Sequence, residues 1–308
     1  MTVLEAIQKS ADFLAKKGVE SPRLQIELLL AHLLKMPRMK LYLNFDRVLT
    51  PSETDALREL VKRRGQREPL QHITGSASFC GCEIAVSRHA LVPRPETELL
   101  AESGWQFLST LNHQPSTALD FGTGTGCIAI ALAARCPNAK ITALDISPEA
   151  LALARGNATR NNVAERIEFL QGDGFAALKD FGLRRHVGAL ECGDMSPHYK
   201  FDLIVSNPPY IPSAEIETLQ PEVRDFDPRG ALDGGADGLD FYRRISSEAK
   251  PILKPAGKIM LEFGDGQAEA IRKIFENEKW IVEAVKEDYS QRERIIIAKS
   301  SSSSSSSS

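Results

Sequence analysis

The residues best suited to chemistry are Asn207-Pro208-Pro209-Tyr210, which follow Ser206 at the end of the apolar run Phe201-Asp202-Leu203-Ile204-Val205. A short β-branched and aromatic run reads as a buried strand, and two prolines forbid its continuation. The carboxamide of Asn207 is therefore expected at a strand end, beside a stiff turn and an aromatic ring. Asn offers both a carbonyl acceptor and an amide donor. Pro208 has no backbone N–H, so that turn presents chiefly a carbonyl. Two acceptors at one fixed spacing suit a planar amino group with two N–H bonds, either a carboxamide or an exocyclic base amine. Taken alone, the same residues read as a proline turn that merely ends a strand. The stretch upstream tips the balance.

There, Ala118 to Phe121 reads as a strand running into Asp120-Phe121-Gly122-Thr123-Gly124-Thr125-Gly126-Cys127. Glycines let a backbone pass close to a ligand, and the helix that follows supplies free N–H groups. A nucleotide-like cofactor fits such a turn. The dinucleotide fingerprint needs glycine at the sixth position from Gly122, where this chain has Cys127, and no Walker A lysine is present. Asp145 ends the next strand, where a carboxylate is placed to accept from ribose hydroxyls, while Ser147 is the better helix N-cap. Asp173, followed by Gly174, reads either as an acceptor for an adenine amine or as an Asp-Gly turn.

Positioning these groups requires a sheet with ordered ends. From Ala118 onward, strands are expected at Lys140 to Leu144, Ile167 to Leu170, Phe201 to Ser206 and Lys258 to Phe263, with a closing pair at Trp280 to Val285 and Arg294 to Ala298. Helices alternate with them at Gly126 to Arg135, Pro148 to Asn161, Leu239 to Leu253 and Ala268 to Asn277. This α/β alternation predicts an open, mostly parallel sheet with helices on both faces and ligands at the strand carboxyl ends. Before it, Val3, Leu4, Ile7, Ala11 and Leu14 trace a helix stopped by Gly18. Ser21-Pro22 opens a second helix with Ser21 as N-cap, and Thr50-Pro51-Ser52-Glu53 a third that ends in the charged run Lys62-Arg63-Arg64, read as a solvated face. Ile73 to Val86 reads as a hairpin. The expected domains are a helical bundle over 1–72, a hairpin linker over 73–92, a catalytic α/β domain over 93–299 and a Ser-rich tail over 300–308. The interval 179–199 fits no element and is expected to be a loop.

Composition narrows the class. The 308 residues carry a net charge of −3, 42% hydrophobic and 26% charged residues, as in an ordinary soluble globular protein. There is no global basic field for nucleic acid, so no stable nucleic-acid partner is expected. No apolar run reaches membrane-spanning length and Met1-Thr2-Val3-Leu4-Glu5 does not begin a signal peptide, so no membrane partner and a cytoplasmic location are expected. The five cysteines, Cys80, Cys82, Cys127, Cys136 and Cys192, read as reduced thiols, and no metal site is expected. The six histidines form no spacing pattern.

Taken together, Asp120 to Gly126, Asp145 and Asn207-Pro208-Pro209-Tyr210 resemble the motifs of class I S-adenosylmethionine-dependent methyltransferases. More narrowly, the chain resembles the protein-(glutamine-N5) methyltransferases that modify peptide chain release factors. Ser21-Pro22-Arg23-Leu24, Leu91-Val92-Pro93-Arg94-Pro95-Glu96-Thr97-Glu98, Leu232 to Leu239 and Leu261-Glu262-Phe263-Gly264 carry that narrower likeness, in that order along the chain. The resemblance implies a Rossmann-like domain with a seven-stranded sheet whose last pair is antiparallel, and a helical domain that grips the release factor. It implies S-adenosylmethionine as cofactor, with Gly122, Thr123, Gly124, Thr125 and Gly126 along its methionine end, Asp145 on the ribose, Asp173 and Gly174 near the adenine, and Asn207 at the methyl. Asn207, Pro208, Pro209 and Tyr210 would hold the substrate glutamine, with Asn207, Pro208 and Tyr210 catalytic. Gln25 stands where members often carry Asp, and Gly174 where a bulky residue is usual, with Phe175 as a substitute for adenine packing.

Methyl transfer from a sulfonium is an in-line displacement that asks mainly for positioning. Hydrogen bonds from an amide NH₂ to Asn207 Oδ1 and the Pro208 carbonyl would orient the nucleophile and favour its developing positive charge. Tyr210 would face the sulfonium with its ring. Arg94 and Glu96 either cap the cofactor pocket or pair to fix the linker, and Asp237, Tyr242 and Arg243 support the fold. A competing enzyme class is an N-methyltransferase acting on an exocyclic amine of DNA or RNA bases, which uses a similar turn. A non-catalytic scaffold is the third reading, against which the intact glycines, Asp145 and Asn207 speak.

Overall fold

The computed structural model describes residues 1–112, 115–178 and 200–301. The expected loop over 179–199, Cys192 and most of the Ser-rich tail lie outside them. The chain forms two packed units: Met1–Ser76 with Thr218–Asp227, and Ala77–Glu217 with Pro228–Ser308.

The first unit is helical. Helix α1 (Val3–Lys16) opens on a capping box in which Thr2 Oγ1 accepts from the Glu5 amide and the Glu5 carboxylate from the Thr2 amide. In α2 (Pro22–Leu33), Pro22 takes the first position, where a missing N–H costs nothing. Ser21 does not cap it; it sits at φ 47° with no side-chain bond to the helix. The short α3 (Arg38–Tyr42) precedes α4 (Pro51–Gly65), which Thr50 and Glu53 cap reciprocally, and α5 (Leu70–Thr74). Ile7, Leu14, Ile26, Leu29, Leu30 and Leu57 form the core. The charged end of α4 is not a wholly solvated face. Arg64 is buried because Nε donates to Gln25 Oε1 at 3.0 Å and Nη2 to Glu222 Oε1 at 2.8 Å. Arg67 grips both oxygens of the same carboxylate at 2.7 and 2.5 Å. Burial opposes ionisation of Glu222, yet the hydrogen bonds from Arg67 and Arg64 hold its carboxyl below the usual range. Glu222 lies on a one-turn helix, Pro221–Arg224, within the excursion Thr218–Asp227, which packs with the helices although it falls inside the 93–299 range expected for the α/β domain.

The second unit begins with a hairpin, β1 (Ser76–Phe79) and β2 (Cys82–Ala85), turned at Cys80-Gly81 with φ of 51° and 82°. Two successive positive φ values make the tight turn that matches strand twist. The hairpin starts later than expected because Ile73 belongs to α5. Then follow α6 (Pro95–Ser109), β3 (Thr117–Phe121), α7 (Cys127–Arg135), β4 (Lys140–Asp145), α8 (Pro148–Arg160), β5 (Ile167–Gln171), β6 (Phe201–Ser206), α9 (Asp240–Glu248), β7 (Leu253–Glu262), α10 (Ala268–Asn277), β8 (Trp280–Glu287) and β9 (Glu293–Ser300). The seven strands lie in the order β5-β4-β3-β6-β7-β9-β8. The pairings β5-β4, β4-β3, β3-β6 and β6-β7 are parallel, while β9 runs antiparallel to both β7 and β8.

Alternation along each strand builds two cores. Leu203, Val205, Met260, Ile295 and Ile297 face α6, α7 and α8 on one side. Leu119, Ile204, Ile259, Leu261 and Ile296 face α9 and α10 on the other. Strands buried on both faces read as continuous apolar runs, which is why β6 was conspicuous in the sequence. The helix expected to reach Leu253 stops at Glu248, since Pro251 lacks the N–H that would continue it. Leu253 instead starts β7, five residues before the expected Lys258, and a register shift against β6 absorbs the Pro255–Gly257 region.

The strand order reverses between β3 and β6. The Gly-rich turn leaves the carboxyl end of β3, and Asn207 follows the carboxyl end of its neighbour β6. Ser206 Oγ ties the two ends together by donating to the Phe121 carbonyl at 2.5 Å. A sheet of this kind opens its ligand crevice at that reversal.

Candidate active site

A cavity of about 410 Å³ opens at these strand ends, lined among others by Gly122, Thr125, Asp145, Gly174, Asn207 and Arg244. The loop after β3 is bolted down from below. The amides of Gly122 and Thr123 both donate to the Leu144 carbonyl at 2.9 Å, and the Gly126 amide to the Thr123 carbonyl at 2.8 Å. Beneath it the fully buried Asp120 accepts from Thr123 Oγ1 at 2.6 Å and the Ala129 amide at 3.0 Å through one oxygen, Oδ2. Burial pushes its carboxyl up to about 7 against those two hydrogen bonds. At Gly122, φ is +73° and a Cβ would meet nothing within 4 Å, so the backbone stands open to the cavity. At Gly126, φ is +81° and a Cβ would fall 3.0 Å from that of Ala154, so close approach of α7 to α8 demands glycine there.

Asp145 reaches back over this loop. Its Oδ2 accepts from the Gly124 amide at 2.8 Å and its Oδ1 from the Ser147 amide at 2.9 Å. Ser147 caps α8 through a 3.0 Å bond from the Ala150 amide, as expected. Asp173 and Gly174 follow β5. Asp173 Oδ1 accepts from Arg244 Nη1 at 2.6 Å, and the same guanidinium covers Gly174, where a Cβ would come within 2.1 Å of Nη2. Arg244 therefore fills the space that a bulkier residue would take, a role sequence reasoning missed because α9 is remote from β5 in the chain. Phe175 does not substitute; its ring stacks on Phe121 with centroids 4.6 Å apart, inside the core.

On the acceptor side, Asn207 and Pro209 belong to the cavity wall, whereas Pro208 and Tyr210 are not among its lining residues. Asn207 Nδ2 donates to Thr97 Oγ1 at 3.1 Å, on the first turn of α6. Tyr210 packs against the second core, its carbonyl accepts from Gln267 Nε2 at 2.9 Å, and burial pushes its hydroxyl up to about 12. Arg94 lines the cavity, while Glu96 is exposed on the first turn of α6. Tyr242 is fully buried and donates to the Glu262 carbonyl at 2.7 Å; Arg243 pairs with Asp237 at 2.5 Å on the surface. Burial pushes the Cys80 thiol up to about 12, so it is a poor nucleophile at neutral pH.

Residues 5–75 match the family described as the PrmC N-terminal domain, and residues 112–300 match a methyltransferase domain. The release factor glutamine methyltransferase of Geobacter sulfurreducens is 44% identical over 276 residues, which cover 89% of this chain and 88% of that protein. The chain belongs to the release factor glutamine methyltransferase family. A second member, from Chlorobaculum tepidum, is 41% identical over 297 residues, 95% of each chain. Among solved structures, the hMettl16 catalytic domain in complex with the MAT2A 3'UTR hairpin 1 shares the fold, with a TM-score of 0.52 and 15% identity over 83% of this chain and 82% of that one.

The methyl donor that goes with this family is S-adenosylmethionine, and the residues suit it. The cavity volume falls within the range of roughly 300–1,000 Å³ typical of small-molecule pockets. The cavity offers an uncovered glycine backbone after β3 and carboxylates at the end of β4 and after β5, acceptors that the polar groups of such a cofactor can use. No helix among the described residues is long and apolar enough to cross a membrane.

Proposed function

We propose that this protein methylates the side-chain amide nitrogen (N5) of the glutamine in the Gly-Gly-Gln motif of peptide chain release factors. The observation that carries this reading is the placement of Asn207 in the wall of the glycine-loop cavity with its amide nitrogen already engaged by Thr97. Its carbonyl oxygen is then the edge left for a substrate N–H. Bound S-adenosylmethionine supplies an electrophilic methyl group on a sulfonium. Gly122 to Gly126 would lie along its methionine portion, Asp145 would accept from the ribose, and Asp173 and Gly174 would flank the adenine.

The chain's own contribution is orientation. A glutamine nitrogen is a poor nucleophile because its lone pair is delocalised into the carbonyl. Asn207 Oδ1 and the Pro208 carbonyl accept its two N–H groups, hold it in line, and favour the positive charge that grows on nitrogen. Pro209, in the cavity wall, would pack beside the substrate side chain, while Tyr210, packed into the second core, stiffens the turn. No strong base is needed before attack, because the methylated nitrogen is acidic enough to lose its proton afterwards. The helical residues, 1–72 in the expected division, would grip the release factor, with 73–92 as linker and 93–299 as the catalytic domain; a cytoplasmic location follows from that substrate.

The test is incubation with S-adenosylmethionine and a release factor carrying a Gly-Gly-Gln loop, read by mass spectrometry of the tryptic peptides. One methyl on the glutamine is expected. Methylation of DNA or RNA with an unmodified factor overturns the reading in favour of a base N-methyltransferase. Asn207→Ala is expected to abolish turnover while leaving affinity for S-adenosylhomocysteine nearly unchanged.

A further inference from the structure

Glu262 closes β7 directly behind the acceptor turn, 3% exposed, and its Oε2 has no hydrogen-bond partner. A buried carboxyl with an unused oxygen costs stability unless its neighbours need it. The neighbours are Thr97 and Asn207, both of which act on Glu262 as hydrogen-bonding side chains. Thr97 is itself 3% exposed and already accepts from Asn207 Nδ2. We propose that Glu262, together with Thr97, is a positioning residue that fixes which edge of the Asn207 carboxamide faces the substrate. This rests on the acceptor role given to Asn207 above.

The reasoning is one of hydrogen-bond polarity. A threonine hydroxyl donates one hydrogen and accepts on its lone pairs, so by itself it tolerates either end of a carboxamide. An ionised carboxylate accepts only. Set against both Thr97 and Asn207, it calls for a donor from each, so Thr97 Oγ1 stays the acceptor it is for Asn207 Nδ2 and the NH₂ edge of Asn207 is held toward the pair. The carbonyl must then turn the other way, to the cavity. If Glu262 carried a proton, either it or Thr97 could donate to the Asn207 carbonyl and the carboxamide could flip. It would then present N–H donors to a substrate that also offers N–H donors, and the nucleophile would lose its anchor.

The relay therefore works with Glu262 ionised. Burial, the largest influence, pushes its carboxyl up to about 7, and the Glu96 charge adds to that, while Thr97, Arg294 and Asn207 pull it down. Tyr210 and Tyr242 lie within its electrostatic reach as neutral phenols, and Arg94 acts on Tyr210.

Three variants of the whole chain test this: Glu262→Gln, Thr97→Val and Thr97→Ser, each assayed for kcat, KM for the release factor, and S-adenosylhomocysteine affinity by calorimetry. Thr97→Val and Glu262→Gln are expected to lower kcat by about tenfold to a hundredfold, the cost of a misoriented near-attack geometry. S-adenosylhomocysteine affinity should stay within about twofold, since Glu262 does not line the cavity and Thr97, which does, is only 3% exposed, and it also reports that the variant is folded. Thr97→Ser, which restores the hydroxyl, should return to near wild-type turnover. Wild-type kcat should rise through about pH 7, and that rise should vanish in Glu262→Gln. Equal turnover for Thr97→Val and Thr97→Ser overturns the relay, as does a Glu262→Gln enzyme with the wild-type kcat and pH profile. The Thr97 pair decides alone if Glu262→Gln fails to bind the product. An active Asn207→Ala enzyme would instead overturn the acceptor role on which the relay rests.

Discussion

Replacing Asp145 with alanine is the most informative perturbation of the cofactor end, because its two oxygens do separable work. Oδ1 takes the Ser147 amide at the start of α8, while Oδ2 takes the Gly124 amide and pins the glycine loop. The α8 terminus keeps its Ser147 side-chain cap, so Asp145→Ala should still fold. The loop has no second restraint on the Gly124 amide. A hydrogen bond to a charged group contributes about 1.5–3 kcal/mol, and at about 1.4 kcal/mol per tenfold this translates into a roughly 10- to 150-fold rise in Kd. Losing an acceptor for the ribose would place the result toward the weaker end. The assay is calorimetric titration of S-adenosylhomocysteine into the variant, with circular dichroism to establish folding. Asp145→Asn, which retains one acceptor oxygen, should fall between the two. A folded Asp145→Ala protein that binds within about twofold of wild type would refute the reasoning and leave Asp145 a purely structural cap.

Other expectations concern stability. Asp120, raised to about 7 by burial, holds a proton in the folded chain that the unfolded chain releases near the ordinary carboxyl range of about 4. The folded state thus binds more protons between those values, and this group's contribution falls by up to about 1.4 kcal/mol per pH unit as pH rises through the window. Asp120→Asn should remove that slope, read as the difference between urea midpoints at pH 5 and pH 8; an unchanged difference would refute it. Glu222→Ala strands the buried Arg64 guanidinium, whose side chain is only 6% exposed, and the neighbouring Arg67. A loss of about 2–4 kcal/mol is expected in urea unfolding, toward the low side for broken buried pairs because Glu222 and Arg67 keep 15% and 20% exposure. Coincident unfolding curves would show the pair to be energetically idle.

The strand ending at Ser206 and the glycine turn after Phe121 were legible in sequence because their signals are local: an apolar run, a proline stop, glycines where the backbone turns. So was Ser147 as the cap of α8. Ser21 misled because a Ser-Pro pair signals a helix start equally well when proline alone sets it. The partners of the site were hidden for a different reason. Thr97 meets Asn207 across 110 residues of chain and Arg64 meets Glu222 across 158, and no spacing rule spans such distances. The Leu261-Glu262-Phe263-Gly264 stretch stood out without a role, since the meaning of Glu262 lies in what α6 brings against it. Likewise the space beside bare Gly174 is taken by Arg244, which comes from the distant α9.

The pairing of β3 with β6 aligns Ala118, Leu119 and Asp120 with Leu203, Ile204 and Val205. Neighbouring strands in a ladder are held about 4.8 Å apart by backbone bonds alone. The span from the glycine turn after β3 to the Asn207 turn after β6 is thus a gauge set by the peptide chain, indifferent to side-chain replacement along either strand. Redirecting such an enzyme to another planar amine would leave that gauge untouched. The place to work is where the chain leaves the sheet, along the stretch in which Ile211 and Gly234 exchange backbone bonds with Leu232 and Ile211.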